Sequence, residues 1–156
     1  MITMSKEIMV LFVILFGGGC VSIDIPKYIP DNHPYKKKFY ASFDEVSKVT
    51  RGTLQDNGWK IESTSDPAIY ERTKLVGNKP GRQIVIFTKI RQTSLVIGTK
   101  YARINAFLWT GSDSSIELEL RYITVSSIPL KTFYNYRKDS AIESLLKQIE
   151  KRLQLG

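Results

Sequence analysis

At 156 residues, with 42% hydrophobic and 24% charged side chains, the chain has room for one ordinary domain and is neither a disordered polymer nor a polytopic membrane protein. A single cysteine excludes a disulfide-stapled scaffold. The net charge of +8 is spread along the chain apart from Lys36, Lys37 and Lys38, which suits a neighbourhood of anionic lipid better than a nucleic-acid interface.

The first element is a leader. Ile8 to Phe16 is a run of nine apolar residues, preceded by Lys6 and followed by Gly17-Gly18-Gly19-Cys20. Such a run makes a helix of about 14 Å, whereas a bilayer span takes about 20 residues, so its length matches a signal-peptide core. Three glycines let an extended backbone enter a peptidase cleft, and the Cys20 thiol is the group a diacylglyceryl transfer requires. The segment resembles a lipobox, with Gly17 where an aliphatic residue is commoner. That resemblance implies a signal peptide over residues 1–19 and lipidation, palmitate included, at Cys20. Two or three acyl chains, at about 0.8 kcal/mol per buried methylene, make such an anchor stable. An ordinary secretory leader with a chance cysteine, or an uncleaved anchor, are the alternatives. Val21 rather than Asp follows Cys20, and by resemblance to the sorting rule of enteric bacteria this favours a periplasm-facing outer-membrane location.

Residues 20–40 read as the lipidated cysteine and a tether. Pro26, Pro30 and Pro34 forbid a helix and favour an extended spacer, with Lys36–Lys38 either resting on headgroups or simply solvated. His33 has no metal-ligand companion, so neither a metal nor a cofactor is expected.

Residues 41–156 read as a single α+β domain. Ser42 and Glu45 form a capping box, Phe43, Val46, Thr50, Thr53 and Leu54 share a helical face, and Asn57-Gly58 supplies a stop. This predicts a helix over 43–56. Strands are expected over 59–64, 68–74, 83–92, 94–109 and 114–126, with turns at Asp66-Pro67, residues 77–81 and residues 111–113. Asp139 or Ser140 caps a closing helix whose stripe is Ile142, Leu145, Leu146, Ile149 and Leu153. The order predicts a curved antiparallel sheet of about five strands, with the N-terminal helix and the C-terminal helix packed on it in a helix-grip-like arrangement.

The two longest strands separate into faces. Ala102, Ile104, Ala106, Leu108, Ile116, Leu118, Leu120 and Tyr122 belong against the helices. The opposite face collects Tyr101, Arg103, Phe107, Trp109 and Arg121, and these five are the candidate partner-binding residues, since open sheet faces rich in aromatics and Arg are typical of interfaces. Glu117 and Glu119, about 7 Å apart on that face, have the separation of a glycosidase pair, but cross-strand pairing with Arg is the commoner use. No phosphate loop, metal cluster or Ser/His/Asp set is present in the sequence, so no catalytic residue is assigned and the chain is not expected to be an enzyme.

Residues 42–75, SFDEVSKVTRGTLQDNGWKIESTSDPAIYERTKL, resemble the start of small envelope lipoproteins with a BamC-like helix-grip domain, in which a helix ending in Gly58-Trp59 leads to a strand, a polar turn and a second strand, here 68–73. The resemblance implies a non-enzymatic accessory role in outer-membrane assembly or maintenance, with an envelope protein as partner and the membrane reached through Cys20. The alternative expectation is a small-ligand or lipid binder with a cavity between the sheet and the C-terminal helix; a third is an envelope hydrolase using Glu117 or Glu119.

Overall fold

The computed structural model describes residues 24–30, 34–72, 75–76, 79–94, 98–128, 131–136 and 140–155. The leader, Cys20, His33, the Gly77-Asn78 turn and the Asp139 cap lie outside these residues. Helix α1 spans Phe43–Asp56, as the periodicity predicts. The Ser42 hydroxyl accepts from the Glu45 amide at 3.2 Å, satisfying one of the amides that a helix start leaves without a partner. At the other end Gly58, at φ 80°, takes the left-handed conformation that lets its amide reach the Gln55 carbonyl (2.9 Å). Helix α2 spans Ser140–Gln154 and buries Ile142, Leu145 and Ile149, with Leu146 and Leu153 at the margin of the core. The two helices lie against one another, tied by Asn57 Nδ2 to Gln148 Oε1 (2.9 Å) and by the Arg152–Asp56 ion pair (2.7 Å).

The strands are β1 (Tyr35–Phe39), β2 (Ile61–Ser65), β3 (Leu75–Val76), β4 (Lys79–Pro80), β5 (Gln83–Thr88), β6 (Arg91–Ser94), β7 (Thr99–Thr110), β8 (Ile116–Ile128) and β9 (Lys131–Asn135). Seven form one antiparallel sheet in the order β1-β8-β7-β5-β2, with β6 also on β7 and β9 also on β8; β3 and β4 pair separately. The fold is therefore α+β, an antiparallel sheet with both helices packed on one face, built from seven strands rather than about five.

The period-2 pattern of β7 and β8 decides which side is the helix side. Ile104, Ala106, Leu108, Leu118 and Leu120 are all inaccessible and meet Val46, Leu54, Ile142, Leu145 and Ile149 in one cluster. Ala102 and Ala106 belong to the same buried cluster.

Three expectations are corrected. The strand over 68–74 is absent from residues 68–72: Pro67–Ile69 is a 3₁₀ turn, because the Asp66 carboxylate accepts from the Ala68 amide (2.9 Å) and Pro67 presets the first φ. The strand over 83–92 breaks at Lys89-Ile90, where the Lys89 amide turns to the Lys60 carbonyl (2.7 Å). Most consequential, residues 24–30 and 34–40 are not a free tether. Tyr35–Phe39 is an edge strand paired with Ile116–Leu120, and Asp24–Pro30 lies against the sheet, so the domain begins well before residue 41. Tyr35 and Phe39 point into the helix-side core, and the three lysines between them are spent locally. Lys36 pairs with Glu119 (3.3 Å), Lys37 with Glu150 (2.6 Å), and Lys38 with Asp113 (3.4 Å) and Glu117 (3.5 Å).

The β7–β8 turn carries a titration. Ser114 sits at φ 61°, and Asp113 accepts from the Ser115 hydroxyl (2.5 Å) and amide (3.3 Å). These bonds, with Lys38 beside them, pull the Asp113 carboxyl from its ordinary 3.8 down to about 2. A depressed carboxylate contributes stability above its unfolded pKa and loses it as protons bind the folded form. The contribution is therefore whole above pH ~4 and disappears between pH ~4 and ~2. Asp113→Asn is expected to flatten the acid limb of the stability curve in that window and to leave the neutral-pH pH dependence unchanged, as read by urea midpoints across pH.

Candidate functional site on the outer face of the sheet

The face turned away from the helices is not open. Asp24–Pro30 crosses it as an irregular strap, bent at Lys27-Tyr28, whose sequence suits the task. Ile25 and Ile29 each precede a proline, which disfavours helical backbone at both and leaves their carbonyls to accept from donors in the sheet. Ile25 and Ile29 bury against Ile123 and Val125, flanked by Tyr101 and Tyr136. The Ile25 carbonyl accepts from Arg103 Nη1 (3.4 Å), and the Ile29 carbonyl from Arg121 Nη1 (3.2 Å). Between them Asn105 clasps the strap in both directions: its Oδ1 accepts from the Ile29 amide (2.7 Å) and its Nδ2 donates to the Lys27 carbonyl (3.1 Å). Tyr28 stacks on Tyr70 (5.1 Å between centroids, planes 4° apart) and presents its edge to Phe107 (6.2 Å, 89°).

The charges beneath the strap are paired. Arg121, 2% exposed, donates Nε to Glu119 and Nη1 to Glu71, donates Nη1 also to the Tyr28 hydroxyl (3.0 Å), and lies over the Phe107 ring at 3.9 Å. Burial alone would lower the Arg121 guanidinium. The hydrogen bonds and charges of Glu71 and Glu119 outweigh it and hold the group above its ordinary value. Tyr28 shifts upward, chiefly through burial and then because its hydroxyl donates to Glu71. Arg103 meets Glu62 through Nη2 (3.1 Å), while Lys27 reaches the same carboxylate (3.4 Å). Arg103 Nε finds no hydrogen-bond partner among the described residues.

The five residues expected to form an exposed partner surface do share one face, but they are covered. Arg103, Phe107, Trp109 and Arg121 are buried and Tyr101 is half-buried beside the strap. The physical reason is composition: a face that also carries Val85, Phe87, Ile123 and Val125 is too apolar to stay in water. Asn105, Glu62, Glu71 and Tyr28, none of them singled out from the sequence, complete the arrangement. The paired Ile-Pro dipeptides at 25–26 and 29–30 are the signal that identifies the cover.

Glu117 and Glu119 are both engaged by cations. Glu119 is held by Arg121 and Lys36, and Glu117 by Lys38. They border a shallow depression of about 240 Å³ together with Lys36–Lys38 and Trp109. A second hollow of about 220 Å³ lies where Phe39–Ala41 meet Leu153, and a third of about 320 Å³ is lined by Gly58, Lys60, Lys89, Ile90 and Arg91. All three open at the surface, and the second lies at the margin between β1 and α2. Among the described residues no group of three or more His, Cys, Asp or Glu is placed to hold a metal, and no helix is long and apolar enough to cross a membrane. No protein-family model, curated protein or solved structure matches the chain.

Proposed function

We propose that the chain is an exported lipoprotein, anchored through acyl chains on Cys20, whose domain acts as a non-enzymatic protein-binding accessory module of the cell envelope. The observation that carries the reading is the apolar run Ile8–Phe16 ending in Gly17-Gly18-Gly19-Cys20. The docked strap adds to it: Asp24, only four positions after Cys20, is already part of the folded unit, so the anchor would hold the domain directly at the membrane. The resemblance to BamC-like lipoproteins is the ground for a role in outer-membrane assembly or maintenance, on the periplasmic side. Because the centre of the outer face is occupied by the strap, the partner surface moves to its rim, where Ile69 is 72% exposed and Tyr70 continues the stack begun by Tyr28.

Full-length protein with a C-terminal tag, produced in a Gram-negative host, tests both halves. Intact mass is expected to show a chain beginning at acylated Cys20, and Cys20→Ser is expected to abolish palmitate incorporation. Crosslinking and affinity capture are expected to recover an envelope protein whose yield falls at least tenfold with Ile69→Asp. A free Cys20 thiol would overturn the lipoprotein reading. Acylated bait whose capture is indifferent to Ile69→Asp would overturn the assignment of the rim.

A further inference from the structure

We infer that the end of the sheet built from β9 and the first residues of β7 is a membrane-facing surface, which seats on anionic phospholipid when Cys20 is acylated; the inference rests on the lipoprotein reading above. Reach comes first. The Tyr134 hydroxyl donates to the Asp24 carbonyl (3.3 Å), so the strap enters the fold against β9. Three residues separate Cys20 from Asp24, and a chain of that length spans at most about 14 Å between the two Cα atoms. The opposite end of the sheet, at Thr110 and Ile116, lies about 30 Å farther along β7, beyond that reach. An acylated Cys20 therefore brings the β9 end, and not the Tyr40 end, to the bilayer.

The chemistry of this end fits the placement. Phe133 is 44% and Tyr134 52% exposed, and Lys131 lies over the Phe133 ring at 5.0 Å. Register sets Phe133 beside Ser126 and Ser126 beside Lys100, so exposed aromatics and lysines share the last rows of the sheet. Rings flanked by lysine are the side chains that settle at a headgroup boundary. Neither Lys100 nor Lys131 meets an acid among the described residues, in contrast to Lys36, Lys37 and Lys38 at the far end. The sequence from Lys89 to Thr110 and from Arg121 to Tyr136 contains no Asp or Glu at all, and among the described residues Asp24 is an acid beside the surface. The acids of the hairpin turn and its flank, Asp113 and Glu117, sit at the opposite end. Such asymmetry orients a lipid-anchored domain on an anionic surface.

Cys20 is the only cysteine, and acylation consumes its thiol, so one introduced cysteine is uniquely labelled. The acylated full-length product, its mass verified first, is reconstituted in vesicles of equimolar phosphatidylglycerol and phosphatidylcholine. An environment-sensitive fluorophore is placed at Phe133→Cys or Lys131→Cys, and at Tyr40→Cys, which is 81% exposed, as the distal position. Circular dichroism verifies the fold of each variant. Quenching by brominated lipid is expected to be at least twofold greater at 131 and 133 than at 40. With the label at Phe133→Cys, the difference is expected to shrink with Lys100→Glu combined with Lys131→Glu, or in phosphatidylcholine alone. Equal quenching at both ends of an acylated protein would overturn the membrane face while leaving the anchor intact. A product not acylated at Cys20 would overturn the lipoprotein reading and this inference with it.

Discussion

Arg121→Met is expected to destabilise the domain by about 3–5 kcal/mol, the cost of leaving a buried charge without its partner. Glu119 shares the buried site, and its other cation, Lys36, comes from an edge strand and is itself more than half exposed. Once the guanidinium is gone, Glu119 must either stay charged in a largely dry place or take up a proton. The Ile29 carbonyl loses its donor in the same step, and the face of Phe107 loses the cation lying on it. For a domain of this size the melting temperature is expected to fall by on the order of 10–15 °C. Arg121→Lys is not a rescue, since one ammonium cannot serve Glu119, Glu71 and Ile29 from the directions the planar fork reaches. Arg121→Met combined with Glu119→Leu is the informative control. It removes both members of the buried pair, and Glu71 can turn toward solvent, so much of the loss should return. Thermal and urea denaturation of the three variants decides the matter. A single substitution costing under about 1 kcal/mol would mean that the network is wet and the strap does not seal it.

How much of this was legible in the sequence depends on which physical signal each element carries. Helices α1 and α2 bury one face each in a core, so their period is plain, and Ser42 and Gly58 mark the limits of α1. In β7 and β8 every second residue (Ile104, Ala106, Leu108; Leu118, Leu120) is apolar because that side meets the helices. Elements at the edges carry no such signal. β1 reads Tyr-Lys-Lys-Lys-Phe, a lysine run to the eye, yet its alternation is real: Tyr35 and Phe39 face the core with Lys37, which reaches Glu150 on α2, while Lys36 and Lys38 turn to acids of the other face. Lysines on an edge strand also discourage pairing with another chain. β9 is exposed along most of its length and so shows no pattern at all. The stretch after Pro67 has the β-rich composition of a strand, but the Asp66 side chain captures the Ala68 amide and winds it into a turn. The candidate site was half legible. Alternation correctly collects Arg103, Phe107, Trp109 and Arg121 on one face. What it cannot show is that residues distant in sequence by 76 and more positions come back to cover them. Prolines in the N-terminal stretch predict an extended spacer, but Asp24–Pro30 bends at Lys27-Tyr28 and docks on the sheet, burying Ile25 and Ile29.

Asn105→Asp is expected to release that strap while leaving the sheet and helices folded. The substitution preserves size and keeps an oxygen to accept from the Ile29 amide. It replaces the donor that faces the Lys27 carbonyl with a second acceptor, and it introduces a charge at a fully buried position. A mispaired acceptor and an unpaired carboxylate at this depth are worth several kcal/mol against docking, of the same order as the hydrophobic gain from burying Ile25 and Ile29 at about 1.5–3 kcal/mol each. The helix-side core does not contain Asn105 and owes nothing to this clasp, so the penalty falls on the strap first. Two measurements separate release from global unfolding. Trypsin cleavage after Lys27, whose backbone is pinned by Asn105 in the wild type, is expected to accelerate at least tenfold, read as a fragment beginning at Tyr28. Hydrogen exchange is expected to rise at Ile29 and to stay slow at Leu54 and Leu118. Uniform acceleration at all three would show that strap and sheet unfold as one unit, making residues 24–30 as integral to the core as any strand. Selective acceleration would make the strap a separable cover, held by one amide side chain and two arginines, over a face apolar enough to bind another segment in its place.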